Sequence, residues 1–379
     1  MGAFFLPHKI KSMKLAEPIT KTTNKMELDN NPLNINYDKL IMAGPCSVES
    51  EEQIMAIAKE IAKNKSVHVI RGGVWKPRTR PNTFEGHGRP AAQWLKKAGE
   101  AVGLPVATEV ANAKHVYEAL DAGIDILWLG ARTVVNPFAV QEIADALEGK
   151  DVPVLVKNPI NPDLELWIGA IERLHKAGLT RIMAIHRGFS QSGRSKYRNK
   201  PNWHIPIELK RRLPSIQVIC DPSHIGGTRD LIQKISQSAI DLNFEGLMIE
   251  THMDPDNAMS DAKQQITPDR LIGVLSDLIH RESKDDTAGM DLDDMRESID
   301  QIDNELIELL GQRMEVVKNI AQYKKANQVT IYQANRWDAI MAARLEAGNT
   351  KELSEKFINK LFQSIHNESI EKQSKIMNS

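Results

Sequence analysis

Short apolar runs recur along most of this 379-residue chain, about 25 to 35 residues apart, with amphipathic segments between them. This repeat constrains the fold more than any other feature, because alternating strand and helix patterns form parallel sheets. Eight of the runs have the length of a buried strand, at 40–43, 67–71, 105–108, 126–129, 152–156, 181–185, 216–220 and 246–249. Eight strand–helix units in succession predict an α/β fold, a closed (β/α)8 barrel of the TIM type.

Composition narrows the class of protein. A net charge of -1 and 41% hydrophobic residues predict a globular protein with a large core, and they give no reason to expect nucleic acid as a partner. No apolar run is long enough for a membrane span. Two cysteines cannot form a disulfide framework, so they indicate a reducing compartment. We therefore expect a cytoplasmic protein that binds no membrane.

The chain divides into a barrel and a second, helical domain. We predict an N-terminal extension at 1–32, the barrel at 33–281, a polar linker at 282–290 and the helical domain at 291–379. Proline is absent from the last range, where apolar periodicity predicts helices at 292–326, 335–346 and 351–377, with Gly348 as a stop signal. Three such helices cannot bury their apolar faces alone, so we expect an intertwined homodimer or a higher homo-oligomer.

Potential metal ligands follow three of the predicted strands. Cys46 comes after the first strand, His224 after the seventh, and Glu250 and Asp261 at and after the end of the eighth. The carboxyl ends of barrel strands share one mouth, where chemistry is usually found. A thiolate, an imidazole and two carboxylates suit a divalent transition metal such as Mn, Fe, Co or Zn. The plainer interpretation is a core cysteine with scattered polar loops, but the same pattern at three strand ends favours the metal.

Basic side chains follow other strand ends. A basic strand end is usually a solvated loop, but convergence of so many cations on one mouth beside a metal predicts anionic ligands, most simply phosphates and a carboxylate. The residues concerned are Arg71, Lys76, Arg78, Arg132, Lys157 and Arg187.

Seven short runs carry a specific resemblance. They are AGPCSVES from residue 43, RGGVWKPRT from 71, LGAR from 129, LVKNP from 155, HRGFS from 186, DPSH from 221 and ETHMDPDNAMSDAKQQ from 250. In this order they resemble 3-deoxy-D-arabino-heptulosonate 7-phosphate (DAHP) synthase, in the compact type I-beta-like form that is related to 3-deoxy-octulosonate 8-phosphate synthase. The octulosonate enzymes have a KANRS-like run in place of KPRT. Arg80 departs from the family, which often has Ser there.

The resemblance implies a bifunctional enzyme whose barrel condenses phosphoenolpyruvate with erythrose 4-phosphate, the first step of the shikimate pathway. It implies metal ligands at Cys46, His224, Glu250 and Asp261. It implies phosphoenolpyruvate contacts at Arg71, Lys76, Arg132, Lys157 and Arg187, erythrose 4-phosphate contacts at Pro77, Arg78 and Thr79, and catalytic groups at Lys76, Glu109 and Asp221. A barrel that uses arabinose 5-phosphate is the alternative, and the KPRT run argues against it.

Cations also mark the helical domain. Arg313 and Lys324 are eleven residues apart, about three helical turns, so they share a face, and Arg336 opens the next predicted helix. Arg296 lies about 100° around the first helix, so it could serve the same pocket only from a partner chain. On periodicity alone the domain is a dimerisation bundle, and the placement of these cations is the argument for a pocket.

The run MRESIDQIDNELIELLGQRMEVVKNIAQYKK, from residue 295, resembles the all-helical (type II) chorismate mutase. This implies rearrangement of chorismate to prephenate, with Lys324 and Gln373 as the catalytic groups at the ether oxygen. Trp337 replaces the usual Glu, and Gln333 an Asp. We also expect the domain to regulate the barrel, with prephenate or chorismate as effector; a purely dimerising or regulatory domain is the alternative. The implied chorismate contacts are Arg296, Arg313, Lys324, Arg336, Ser369 and Gln373.

Overall fold

The computed structural model describes residues 26–77, 83–191, 193, 195–281, 290–332 and 334–378, without the side chains of 290–294 and 334–336. Arg78, Thr79, Arg80, Gln333 and the side chain of Arg336 therefore lie outside the described residues. The chain separates into two compact units, Met1–Glu282 and Ser283–Ser379. The finer division into extension, barrel, linker and helical domain stays a prediction.

Eight parallel strands form a closed barrel in which each strand pairs with the next and the eighth pairs with the first. The closing register joins Leu40 to Gly246 and continues to Gly44 and Glu250. The predicted barrel is confirmed. The strands are β1 (Leu40–Gly44), β2 (Val69–Arg71), β3 (Val106–Val110), β4 (Ile126–Leu129), β5 (Val154–Lys157), β6 (Ile182–His186), β7 (Gln217–Cys220) and β8 (Gly246–Glu250).

Within the described residues, ten α-helices accompany these strands, and several begin at a side chain that accepts a backbone hydrogen bond, as Ser50, Asn112 and Asp163 do. The two shortest helices directly follow β4 and β7, and they escaped prediction because four or five residues show no period. The helices are α1 (Glu51–Ile61), α2 (Arg89–Val102), α3 (Ala113–Asp121), α4 (Ala131–Val134), α5 (Pro137–Leu147), α6 (Leu164–Lys176), α7 (His204–Arg212), α8 (Pro222–Gly226), α9 (Ile232–Asp241) and α10 (Pro268–Ser276).

Alternate residues of each strand fill the barrel interior. The strands contribute a cluster separate from the one under the helices: Leu40, Met42, Val69, Ala107, Ile126, Trp128, Leu155, Met183, Ile185, Ile219 and Met248, with Leu33 joining them from the preceding segment. Side chains alternate with a period of two, so the next inward position of each strand comes two residues later. For Val69, Ala107 and Leu155 these positions are Arg71, Glu109 and Lys157. The pleat thus places charged groups above an apolar plug.

The second unit has three helices, α11 (Met290–Ala326), α12 (Ala334–Asn349) and α13 (Glu355–Asn378). The unusually long first helix is confirmed, at 37 residues. The prediction that Gly348 ends the second helix was wrong, because α12 continues through it. A Cβ at Gly348 would lie 2.6 Å from Cγ1 of Ile358, so the glycine allows α12 and α13 to pack closely.

Much of the apolar stripe of α11 is uncovered in the single chain. The exposed fractions are 58% for Ile299, 56% for Ile302, 51% for Leu306 and 60% for Leu309. Among the described residues of both units, no helix combines the length and apolar character that a membrane span requires.

Candidate active site

A cavity of about 260 Å³ opens at the carboxyl ends of the barrel strands. Its walls carry an unusual number of cations, including four of the side chains that the sequence assigned to phosphoenolpyruvate. Such a concentration of guanidinium and ammonium groups suits a ligand with several negative charges. The lining residues are Lys76, Pro77, Thr83, Glu109, Ala131, Arg132, Lys157, Arg187, Arg198, His224 and Asp261.

Three of the four predicted metal ligands form one cluster. One ligand atom from each of Cys46, Glu250 and Asp261 lies within 4.8 Å of the others. His224 lies beside the cluster, with Nε2 at 3.7 Å from Oε1 of Glu250. Sulfur, imidazole nitrogen and carboxylate oxygen together are a donor set for a borderline transition metal, so these residues fit the ion that the resemblance implies.

Lys76 holds the cysteine of this cluster. Its Nζ donates to Sγ of Cys46 at 3.0 Å and to the Cys46 carbonyl oxygen at 3.0 Å. Burial and the neighbouring Glu250 raise the pKa of the Cys46 thiol to about 12. Burial also acts to lower the pKa of Lys76, but Cys46 and Glu250 outweigh it and raise that pKa. Lys76 therefore stays charged between the cluster and the cavity.

Arg71 and Glu250 form an ion pair that is almost fully buried. Nη1 of Arg71 lies 3.1 Å from Oε1 of Glu250 and donates to the Pro45 carbonyl oxygen at 2.8 Å. The other carboxylate oxygen accepts from Nε2 of Gln264 at 2.6 Å. Buried charges are tolerated when they are paired and hydrogen-bonded in this way. The structure thus places Arg71 beneath the cavity, where it orients a predicted metal ligand.

A second buried ion pair joins Lys157 to Asp221, with Nζ 3.0 Å from Oδ2. The same Oδ2 lies 2.8 Å from Nδ1 of His224, while Oδ1 accepts from the His224 backbone N–H at 3.0 Å and caps α8. Burial opposes ionisation of Asp221, but His224 and Lys157 outweigh it and hold its pKa well below the usual range. Asp221 therefore fixes Lys157 in the cavity wall and His224 beside the metal cluster.

Glu109 is the fourth residue of β3 and lines the cavity. Its Oε2 accepts a 2.9 Å hydrogen bond from Nε1 of Trp128. A Cβ at Gly130 would overlap the Glu109 carboxylate, which explains the glycine of the LGAR run. Trp128 was not among the predicted site residues, because an aromatic residue within an apolar strand is most often core.

Arg187 and Arg198 complete the cationic wall. The Arg187 backbone N–H donates to Oδ1 of Asn158 at 2.7 Å, and burial lowers the pKa of its guanidinium to about 10 against the opposing effect of Asp221. Nη1 of Arg198 lies 2.9 Å from Oδ1 of Asp261. With His224, Arg198 outweighs burial and lowers the pKa of Asp261. Arg198 was not predicted as a site residue, because it does not directly follow a strand.

The helical unit brings together several of the residues assigned to chorismate. Nη1 of Arg313 donates to Oγ of Ser369 at 2.7 Å, and Ser369 and Gln373 are buried on one face of α13. Nζ of Lys324 donates to the Ile331 carbonyl oxygen at 2.6 Å. Arg296 lies on an exposed part of α11. These placements leave the assigned roles as proposals.

Trp337, the residue that departs from the mutase pattern, stacks on His366 of α13. The ring centroids are 4.0 Å apart and the planes differ by 25°. Burial and then Arg313 lower the pKa of His366. The replacement therefore sits near Arg313 and adds an aromatic pair to this part of the unit.

Known proteins match both parts of the chain. The family model of the DAHP synthetase I family matches residues 25–285, and that of chorismate mutase type II matches residues 295–374. Both descriptions name enzymes, as the sequence predicted. Among curated relatives, the phospho-2-dehydro-3-deoxyheptonate aldolase of Thermotoga maritima is 32% identical over 60% of this chain and 64% of its own length. A 2-dehydro-3-deoxyphosphooctonate aldolase of Desulfotalea psychrophila is 27% identical over 63% and 88%.

A solved structure agrees with these matches. The crystal structure of the DAHP synthase of Thermotoga maritima has a TM-score of 0.57 and 29% identity, and the alignment covers 63% of this chain and 67% of that one. The chain spans slightly less than two thirds of the curated Thermotoga relative. The chain belongs to the DAHP synthetase I family and carries a chorismate mutase type II domain in its C-terminal part.

Proposed function

We propose that the barrel condenses phosphoenolpyruvate with erythrose 4-phosphate to DAHP and inorganic phosphate. The observation that carries this proposal is that the cation-lined cavity and the cluster of thiol and carboxylate groups lie side by side at the barrel mouth. Two phosphorylated substrates need the cations for binding and orientation. The family membership supports the same reaction.

The chain's residues divide the work as follows. Arg132, Lys157 and Arg187 hold the phosphate and carboxylate of phosphoenolpyruvate by charge-assisted hydrogen bonds. Pro77, with Arg78 and Thr79 outside the described residues, faces erythrose 4-phosphate. Cys46, His224, Glu250 and Asp261 would hold a divalent ion, which would polarise the aldehyde oxygen as a Lewis acid.

Carbon–carbon bond formation joins C3 of phosphoenolpyruvate to the aldehyde carbon and leaves C2 electron-deficient. Water then adds to C2, and the phosphate leaves from that carbon. Glu109 and Lys76 both line the cavity. Glu109 takes the proton of this water, and the charged Lys76 gives a proton to the alkoxide that forms from the aldehyde oxygen. Asp221 acts by holding Lys157 and His224.

The test is consumption of phosphoenolpyruvate by the full chain with Mn²⁺ and either erythrose 4-phosphate or arabinose 5-phosphate. We expect turnover with erythrose 4-phosphate. The names of the octulosonate relatives support the other sugar, so turnover with arabinose 5-phosphate alone would replace the proposal. Lys157→Met should abolish the reaction, whereas Lys150→Met, at an exposed position outside the cavity lining, should not.

We further propose that the helical unit rearranges chorismate to prephenate as part of a homodimer. Arg313, Ser369 and Gln373 supply the convergent polar groups, and Lys324 and Gln373 are assigned to the ether oxygen, where charge develops. The uncovered stripe of α11 supports a second copy of the chain. Loss of chorismate tests the proposal: Arg313→Ala should be inactive, and Lys318→Ala, at a partly exposed position of the same helix where the side chain pairs with Glu315, should not. If the chain leaves chorismate unchanged, the helical unit is a dimerisation or regulatory module instead.

We also propose that prephenate or chorismate bound to the helical unit changes the synthase rate. Linkage requires only that the ligand favour one arrangement of the protein over another. The synthase rate should therefore respond to prephenate in the wild-type chain and respond far less in Arg313→Ala. A wild-type rate that saturating prephenate leaves unchanged would remove this proposal without touching the two activities.

A further inference from the structure

Trp128 is a fully buried side chain inside the barrel, with no exposed surface. It belongs to the apolar plug, and its backbone lies beside Glu109, its Cα partner in the β3–β4 pairing. Its ring therefore lies at the boundary between the plug and the charged mouth. A fully buried tryptophan is uncommon, and its N–H then needs a hydrogen-bond partner.

Three charged side chains of the proposed site meet at this indole. Nε1–H donates to Oε2 of Glu109 at 2.9 Å. The guanidinium carbon of Arg71 lies 4.8 Å from the ring centroid, and Nζ of Lys157 lies 5.7 Å from it. One side chain thus touches both buried cations and the carboxylate opposite them.

The chemistry of indole suits both contacts. The face of the ring carries negative charge density and attracts cations, most strongly where water is excluded. The N–H is a donor only, so it holds Glu109 as an acceptor. This hydrogen bond fixes the Glu109 carboxyl group in one orientation and leaves its second oxygen for other partners. Gly130 leaves the space that this carboxylate occupies.

We propose that Trp128 is a positioning residue of the condensation. Its ring face holds Arg71 and Lys157 where they orient the metal cluster and the substrate phosphate, and its N–H holds Glu109 toward the reacting carbon. This inference rests on the proposed synthase function. It adds to that function a residue with two separable roles, one for each part of the indole.

Two substitutions separate the roles. Trp128→Phe keeps an aromatic face and removes the N–H, so kcat should fall about tenfold, as expected for one lost hydrogen bond to a charged group, with KM for phosphoenolpyruvate changed less than about twofold. Trp128→Gln keeps an amide N–H and removes the face, so KM for phosphoenolpyruvate should rise by about tenfold.

Trp167→Phe is the matched control. Trp167, on α6, is also fully buried, in the core between the strands and the helices. Its Nε1–H donates to the Val156 carbonyl oxygen at 3.1 Å. We expect this variant to lose stability without a change in kcat or KM. Equal losses in kcat and KM in both Trp128 variants, with a matching fall in melting temperature, would overturn the inference, because a structural role moves all three together.

The activity of the wild-type chain distinguishes failure of this inference from failure of the proposed synthase function. A wild type that condenses neither sugar removes the synthase proposal itself. Calorimetric binding of phosphoenolpyruvate then still tests the ring face: Trp128→Gln should weaken binding about tenfold, and Trp128→Phe should bind as the wild type does. Equal binding by both variants would overturn the inference in that case as well.

Discussion

The barrel and the helical unit solve the burial of their sites in different ways. In the barrel, Arg71, Lys157, Asp221 and Glu250 are nearly inaccessible, and each finds an ionic partner in the same chain. In the helical unit, Arg313 also finds a partner, Ser369, but the apolar stripe of α11 remains more than half exposed at several positions. The barrel thus pairs these buried charges within one chain, whereas the helical unit leaves apolar surface uncovered.

Topology explains the contrast. A closed barrel has no free edge, so its interior is sealed by the chain itself and the carboxyl ends of all strands meet at one mouth. Three helices, one of them 37 residues long, have more apolar surface than they cover. The difference teaches that a fold that closes on itself can enclose charged groups within one chain, whereas the proposed dimer of the helical unit would cover the surface that its own fold leaves exposed.

The largest expected effect is at the metal cluster of the barrel. Cys46→Ser replaces a soft sulfur ligand by a hydroxyl, so synthase activity should fall more than about a hundredfold. Chorismate turnover should be unchanged, because the substitution lies in the other unit. The measurement is both rates on one preparation, together with bound metal.

Cys220→Ser is the control for that substitution. Both cysteines are buried and free, and burial raises the pKa of both thiols, so the two changes are chemically alike. Cys220 packs in the core between barrel and helices. Equal loss of synthase activity in the two variants would attribute the effect at Cys46 to packing and would weaken the assignment of the cluster.

The uncovered stripe gives the next effect. Leu306→Glu should raise the dissociation constant of the proposed dimer about a hundredfold, because two leucines lose apolar burial in a symmetric interface. Asn304→Glu adds the same charge on the opposite face of α11 and is the control. Sedimentation at several concentrations measures the equilibrium, and dimers of equal strength in both variants would exclude the stripe as the interface.

Mixing inactive variants sharpens the comparison directly. Arg296→Ala and Arg313→Ala should each lose mutase activity, and a reassociated mixture should regain about a quarter of the wild-type rate, because mixed dimers hold one intact pocket of two. The barrel supplies the contrast. A mixture of Cys46→Ser and Lys157→Met should regain no synthase activity, since both side chains belong to one mouth within one chain. Recovery in the barrel mixture, or none in the helical one, would reverse the conclusion.

Much of the barrel site could be predicted because the side chains of a strand alternate between its two faces. Once 67–71 is taken as a strand, Val69 in the plug puts Arg71 at the mouth, and Met248 does the same for Glu250. Lys157 lines the cavity for this reason, two residues after Leu155, whereas Lys76, Arg132 and Arg187 line it from the segments that follow β2, β4 and β6. Local periodicity determines such positions.

The residues that escaped prediction depend on distant parts of the chain. Arg198 lies in a segment without periodicity, and only the fold brings it to Asp261. Trp128 has the sequence environment of a core residue, and its N–H has a purpose only beside Glu109. Glycine is a typical residue at the end of a helix, so the sequence favoured that role for Gly348. Its contact with Ile358 depends on the packing of α12 against α13. None of these relations has a local signature.

The smallest expected effect concerns a histidine that the barrel buries as a neutral group. The ring of His186 packs among Phe189, Trp203 and Phe244 at 0% exposure. Burial lowers its pKa to about 3, with Arg187 adding to the shift and Asp221 opposing it. The unfolded chain has an ordinary histidine pKa of about 6.5 and binds a proton that the folded chain cannot. The free energy of unfolding should therefore fall as the pH drops through 6.5.

His186→Phe removes this dependence while keeping an aromatic ring. Between pH 7 and pH 5.5 the wild-type barrel should lose about 1 kcal/mol more stability than the variant. Urea titrations followed by tryptophan fluorescence measure the difference, since five of the six tryptophans lie in the barrel. His204→Phe, at an exposed position of α7, should keep the wild-type pH dependence. Identical slopes for the wild type and His186→Phe would mean that the folded barrel accepts the proton. The interior of the barrel would then admit protons, although His186 has no exposed surface in the folded chain.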